Sequence, residues 1–248
     1  MQKCHISIQD VDLYYPSALY NRKSLKQAVF EAVRLQKPKQ VLNDVHALHG
    51  LSLEINEGEK VGIIGHNGAG KSTLLKAIAG IYPITSGKLE TQGDIRSLFD
   101  LSLGFEIEAS GRENIMYRGL LLGETPKSLE EKTQEIIDFA ELGEFIDYPI
   151  KSYSSGMIIR LAFAISTMVQ GDILLLDEIF GAGDAKFMNK ARNRIMNLIE
   201  SAKIMVFVSH DLATIKAMCH RVIWLDHGTL KMDGEPEEVI SEYLRSLA

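Results

Sequence analysis

The segment Gly65-His66-Asn67-Gly68-Ala69-Gly70-Lys71-Ser72-Thr73 sets out a phosphate-binding chemistry. It matches G-x-x-x-x-G-K-[ST] through Gly65, Gly70, Lys71 and Ser72. Glycines at this spacing let the backbone turn so that its N–H groups converge on phosphate oxygens. The helix expected from Ser72 to Ala79 adds its positive N-terminal end. In such a loop the lysine reaches the β- and γ-phosphates, and the Ser72 hydroxyl ligates Mg²⁺. A second ligand for the metal comes from Asp177, which ends the apolar run Ile173-Leu174-Leu175-Leu176. Ligands of α/β sheets gather at such strand tips. Glu178 follows, placed to orient and activate a water for attack on the γ-phosphate. These residues alone specify an ATPase or a GTPase.

The elements that must position them are legible in the apolar patterning. Lys60 to Ile64 is a short apolar strand before the glycine-rich loop, completing a strand–loop–helix unit. Ile173–Leu176 and Ile204–Val208 are fully apolar runs of strand length, as buried parallel strands are. Ile6 to Tyr15 alternates and reads as a strand, and a second strand runs from about Leu48 to Ile55. Ile95 to Phe105 reads as strand then loop. Gly111 to Gly143 is helical in pattern, with Leu129, Ile136, Ile137 and Ala140 on one face, and Met157 to Val169 is a further helix. Val222–Leu225 and Thr229–Met232 flank Asp226-His227-Gly228, a hairpin signal. A last helix spans Glu237 to Leu247.

Composition narrows the class. The chain has 248 residues, 46% of them hydrophobic and 24% charged, which argues against disorder. A net charge of −6 gives no support to nucleic-acid binding. Cys4 and Cys219 stand far apart, outside any zinc or disulfide spacing, and fit a reducing compartment. No apolar stretch reaches the ~18 residues of a membrane span, and the N-terminus lacks the pattern of a signal peptide. A cytoplasmic protein is expected, touching a membrane only through a partner.

Three further motifs, taken with the loop and the Asp177 strand, carry a resemblance to the ATP-binding cassette (ABC) ATPases over nearly the whole chain. KSYSSGMIIRLAFAI, before the Asp177 strand, resembles the family's signature, with Ser154, Ser155 and Gly156. GAGD resembles its D-loop, with Asp184, and FVSHD its switch histidine, His210. The resemblance implies an α/β fold, an ABC-type P-loop NTPase. It would hold a RecA-like core, an antiparallel β subdomain and an α-helical signature subdomain near residues 105–165, all one domain over 1–248. It implies ATP and Mg²⁺ as ligands, held in a head-to-tail homodimer. Lys71, Ser72, Asp177, Glu178 and His210 of one chain would face Ser154 and Gly156 of the other. Tyr15, with Tyr14 next, matches the adenine-stacking aromatic.

Departures from the general pattern point to a branch. No Gln occurs between Gln92 and Gln134, so the usual Gln loop lacks its namesake, and Asp100 falls near that position. An aspartate there can still accept a metal-bound water. The YSSGM signature and the SGRENI stretch look like the polysaccharide-export branch, whose members export O-antigen, capsule and teichoic acid chains. That likeness implies two copies of a separate membrane permease, a lipid-linked glycan substrate, no nucleic acid, and a peripheral position on the cytoplasmic face of the inner (plasma) membrane. O-antigen is the leading cargo. The segment from Ser17 to Gln40 resembles an insertion of the same branch. It carries Arg22, Lys23, Lys26, Arg34, Lys37 and Lys39 against a single acid, Glu31, with helical apolar spacing. It reads either as a solvated helix or as a basic element for an anionic lipid head group. The chain stops at Ala248, so the C-terminal carbohydrate-binding domain of some O-antigen members is expected to be absent. Other ABC duties stay open: an importer or small-molecule exporter shares every catalytic motif. The short interval from Lys71 to Asp177 opposes the DNA-repair and translation types, and Glu178 and His210 oppose a non-hydrolysing switch.

Overall fold

The computed structural model describes residues 3–15, 44–99, 104–177 and 185–247. The basic segment 17–40 lies outside the described residues, as do Asp100, Glu178 and Asp184.

Two sheets organise the chain. A three-stranded antiparallel sheet has the order β2-β1-β4, from β1 (His5–Tyr15), β2 (Val45–Asn56) and β4 (Ser86–Gln92). A six-stranded sheet has the order β5-β6-β7-β3-β8-β9. Its members are β3 (Lys60–Ile64), β5 (Ile95–Leu98), β6 (Ile173–Asp177), β7 (Ile204–Val208), β8 (Arg221–Asp226) and β9 (Thr229–Gly234). All its pairings are parallel except the β8–β9 hairpin. The three apolar runs are therefore neighbours: β7 lies between β3 and β6. Burial on both faces explains their composition.

The period-2 alternation of a strand sorts their side chains into two cores. Ile173, Leu175, Ile204, Val206, Val208, Ile223 and Leu225 face the antiparallel sheet and helix α1 (Lys71–Ile78). Leu174, Leu176, Met205, Phe207, Val222 and Trp224 face the opposite way, into a core shared with the helices. Those helices are α2 (Gly111–Leu121), α3 (Pro126–Ala140), α4 (Ser155–Ser166), α5 (Ala185–Ser201), α6 (Leu212–Met218) and α7 (Pro236–Ser246). Cys4 and Cys219 are buried and free, one in each core.

The helical stretch expected from Gly111 to Gly143 is two helices. Ser110 opens α2 with a capping box: its side chain accepts from Glu113 N while Glu113 accepts from Ser110 N. After Leu121 the chain turns through Gly123 at φ 86°, and Thr125 caps α3 ahead of Pro126. A proline at the first helical position suits a start and not an interior, so the break is written in the sequence. Strand β4 and helices α5 and α6 add to the elements read from the sequence. β4 is a largely exposed edge strand, SGKLETQ, without an apolar rhythm to announce it.

Candidate nucleotide site

Every parallel strand delivers its C-terminal end to the same edge. Ile64 of β3 leads into the loop Gly65–Gly70, and α1 begins at Lys71. Asp177 closes β6 in register with Val208, two residues before His210. This edge and the antiparallel sheet enclose a cleft of about 900 Å³. Of the residues expected at the site, Tyr15, Asn67, Gly68, Gly70, Lys71, Ser72, Thr73, Asp177 and His210 line it.

The loop is built by its glycines. Gly70 sits at φ 101°, where an added Cβ would stand 2.8 Å from the Ala47 carbonyl oxygen. At Gly65 (φ 149°) a Cβ would stand 2.2 Å from the oxygen of Leu225. The loop thus runs pressed against β2 and β8, and only glycine fits. Lys71 is buried, and its ammonium donates to the carbonyl oxygens of Gly65 (2.8 Å) and His66 (2.9 Å). A buried ammonium among carbonyls at the head of a helix is a phosphate-binding arrangement. Ser72 is exposed to the cleft.

These residues fit a nucleoside triphosphate with Mg²⁺. The glycine cradle admits a close-approaching group, since nothing lies within 4 Å of a Cβ on Gly68. The hydroxyl of Ser72 and the carboxylate of Asp177 open on the same cleft, and hard oxygen donors are what Mg²⁺ takes.

Tyr15 forms the cleft wall from the antiparallel sheet. Its hydroxyl shares a 2.9 Å hydrogen bond with Thr73 Oγ1, and its ring meets Tyr82 edge-on at 5.4 Å. Burial pushes the phenol's pKa up, against the lowering effect of the Thr73 bond. Tyr14 points elsewhere: it is exposed and stacks on His46 at 3.9 Å.

Sequence reasoning missed His46, His49, Lys76, Phe99 and His227, all of which line the cleft. His46 and His49 stack at 3.6 Å on β2, and His227 occupies the β8–β9 turn. Neither set carries a motif. They arrive because β2 and the hairpin fold over the loop, with Gly228 N donating to the Ala69 oxygen at 3.0 Å.

The signature residues lie apart from the cleft. Ser154 caps α4, its Oγ accepting from Met157 N at 3.3 Å, and Ser154 and Ser155 are exposed. A Cβ on Gly156 would meet only Ser154 Oγ, at 4.0 Å. The start of α4 is thus open toward solvent, with its N-terminal N–H groups on display.

A parallel sheet with a glycine-rich loop, a buried lysine and a strand-end aspartate defines a P-loop nucleotide-binding protein. The ABC transporter family model matches residues 48–181, more than half of the chain, so the chain belongs to the ABC transporter family and is an ATPase of that type. It is 43% identical over 225 residues to the O-antigen export system ATP-binding protein RfbE of Yersinia enterocolitica, covering 90% of this chain and 94% of that one. It is 44% identical to the O-antigen export system ATP-binding protein RfbB of Myxococcus xanthus, covering 91% of this chain but 52% of the relative. It is also 46% identical over 200 residues to the teichoic acids export ATP-binding protein TagH of Lactococcus lactis, spanning 43% of that protein. The chain thus spans about half the length of these last two. In fold it superposes on a dimeric ATP-binding cassette solved with ADP and phosphate after hydrolysis. There the TM-score is 0.66 at 21% identity, over 93% of this chain and 98% of that one.

Proposed function

We propose that this chain powers export of a lipid-linked polysaccharide across the cytoplasmic membrane, with O-antigen as first cargo, through a separate permease. The observation that carries the reading is the near full-length likeness to the Yersinia O-antigen export protein. None of the described helices is long and apolar enough to cross a membrane, and the reading assigns the path for the glycan to a separate permease. The subunit would sit on the cytoplasmic face, bound to two permease copies.

The chemistry follows from the cleft. Lys71 holds a fixed positive charge at its floor and neutralises the transferred phosphoryl group. The α1 N-terminus and the glycine loop bind the phosphates through backbone N–H groups. Tyr15 offers its ring to the base. Bound Mg²⁺, held by Ser72 and Asp177, would offset the negative charge of the β- and γ-phosphates. Glu178 orients and deprotonates the attacking water, and His210, at the cleft edge, positions the γ-phosphate. Asp100 and Asp184 are assigned supporting roles at the metal and at the dimer contact. One chain offers the signature helix away from its own cleft, so a second copy is proposed to present Ser154 and Gly156 to the nucleotide. ATP then joins two chains, and hydrolysis releases them.

The test is made in cells. Glu178→Gln in the native host should leave a subunit that binds ATP and stalls. Long lipid-linked glycan should build up inside and vanish from the surface. Unchanged surface glycan would rule out polysaccharide cargo. A second reading, teichoic acid export, draws on the 46% identity to the Lactococcus protein, and the composition of the retained glycan decides between them.

A further inference from the structure

We propose that His66, Asp226 and His227 form a binding site for a divalent transition-metal ion of the zinc class, stapling the β8–β9 turn to the phosphate loop. Their ligand atoms all lie within 4.8 Å of one another. His227 lines the same cleft as Ser72 and Asp177, but the donors here are two imidazoles and a carboxylate, a set that favours Zn²⁺ or Co²⁺ over Mg²⁺.

The hydrogen bonding at His66 turns its second ring nitrogen toward the Asp226 carboxylate, the posture of a cation ligand. Nδ1 lies 2.7 Å from the carbonyl oxygen of Asn67. A carbonyl only accepts, so Nδ1 carries the hydrogen. In the neutral ring Nε2 is then a bare lone pair. That atom is buried, has no hydrogen-bond partner, and faces Asp226 Oδ1 at 3.3 Å. A lone pair against a carboxylate oxygen is repulsive unless a cation sits between or beside them. An imidazole whose far N–H is fixed by a backbone carbonyl is the arrangement of a metal-binding histidine.

The distance agrees. In a tetrahedral site with bonds of ~2.0 Å, neighbouring ligand atoms stand about 3.3 Å apart. The 3.3 Å between His66 and Asp226 is that edge. The third ligand, His227, is exposed, its ring 4.4 Å from that of His66, and needs only a side-chain adjustment to close the site. Its backbone is in the left-handed region (φ 46°), ahead of Gly228 at φ 79°. This is the two-residue turn that aims the His227 side chain back at the loop, at a position where asparagine is the easier choice. The turn is already docked, with Gly228 N on the Ala69 oxygen. Three protein ligands leave the fourth position to water.

The probe is Co²⁺ added to the nucleotide-free protein, read by visible absorption. The expected result is the intense spectrum of a tetrahedral ion, saturating at one equivalent, surviving excess Mg²⁺ and erased by Zn²⁺. His227→Asn keeps the turn, because asparagine accepts the left-handed backbone, and should weaken Co²⁺ binding more than roughly tenfold. Asp226→Asn should do the same. Circular dichroism melts without metal establish that each variant is folded. Only the faint absorption of an octahedral ion, or an intense spectrum unchanged in both folded variants, would overturn the proposal. The first would place the cation on oxygen ligands, and either would leave a proton to bridge His66 and Asp226.

Discussion

The hydroxyl of Tyr15 lies 2.9 Å from Oγ1 of Thr73, tying the end of β1 to the first turn of α1. The antiparallel sheet and the phosphate loop thereby share one wall of the cleft. Tyr15→Ala removes the ring and the tie together, whereas Tyr15→Phe removes the tie alone. Stacking of an aromatic on a ring is worth about 0.5–1.5 kcal/mol, so Tyr15→Ala should weaken ATP binding by roughly 2- to 12-fold. Tyr15→Phe should stay near the parent value. Calorimetric titration with ATP reads both, and equal losses would mean that the hydroxyl tie matters and the ring does not.

Lys71 is the buried charge of the cleft, its ammonium bonded to the carbonyls of Gly65 and His66. Lys71→Ala strips the phosphates of a cation and leaves two loop carbonyls short of a donor. Phosphate release should fall by about 10²–10³, the scale of one lost electrostatic contact in a transition state. The unsatisfied carbonyls should also cost about 1–3 kcal/mol in urea unfolding. Turnover that survived the substitution would remove Lys71 from the mechanism.

The sequence was most legible where one residue pattern has one structural solution. β3, β6 and β7 are apolar except for Lys60 at the start of β3 and Asp177 at the tip of β6, because both faces of a central parallel strand are covered, and Lys60–Ile64 and Ile204–Val208 appear at the bounds read from the sequence. The loop and Asp177 follow, since a motif at a strand end fixes its own place. β4 stayed hidden because an exposed edge strand has no buried face to pattern. His46, His49 and His227 stayed hidden for another reason. Their approach to the loop depends on how the antiparallel sheet and the hairpin fold over it, a tertiary fact without a local signal. The signature at Ser154 was legible as a motif, and its separation from its own chain's cleft was implied by the family resemblance alone, since no local pattern at Ser154 carries it.

That separation gives a variant in which stability and assembly part company. Ser154 caps α4, and aspartate caps a helix as well as serine does. Ser154→Asp should therefore unfold at the same urea concentration as the parent. Its carboxylate, though, would meet the γ-phosphate of ATP held by a second chain. In a Glu178→Gln background, ATP should drive the parent to a dimer on size exclusion and leave Ser154→Asp a monomer. Dimers of both would show that the exposed start of α4 does not face the nucleotide.

Asp12 binds the antiparallel sheet together. Its carboxylate accepts from Ser86 Oγ (2.9 Å) at the start of β4, from Gly50 N (3.0 Å) on β2, and from His46 Nε2 (2.7 Å). The Ser86 bond first, then Gly50 and His46, hold its pKa below the ordinary carboxylate value. The sign follows from linkage. A group whose pKa is lower folded than unfolded adds stability that is complete above the unfolded value of ~3.9. That stability is lost as pH falls through the lowered folded value. Asp12→Ala should therefore unfold at lower urea than the parent at about pH 6, with the gap narrowing toward about pH 3. Urea titrations of both proteins across that range make the check. A gap that stayed constant would assign the loss to packing of β1 and not to the charge of Asp12.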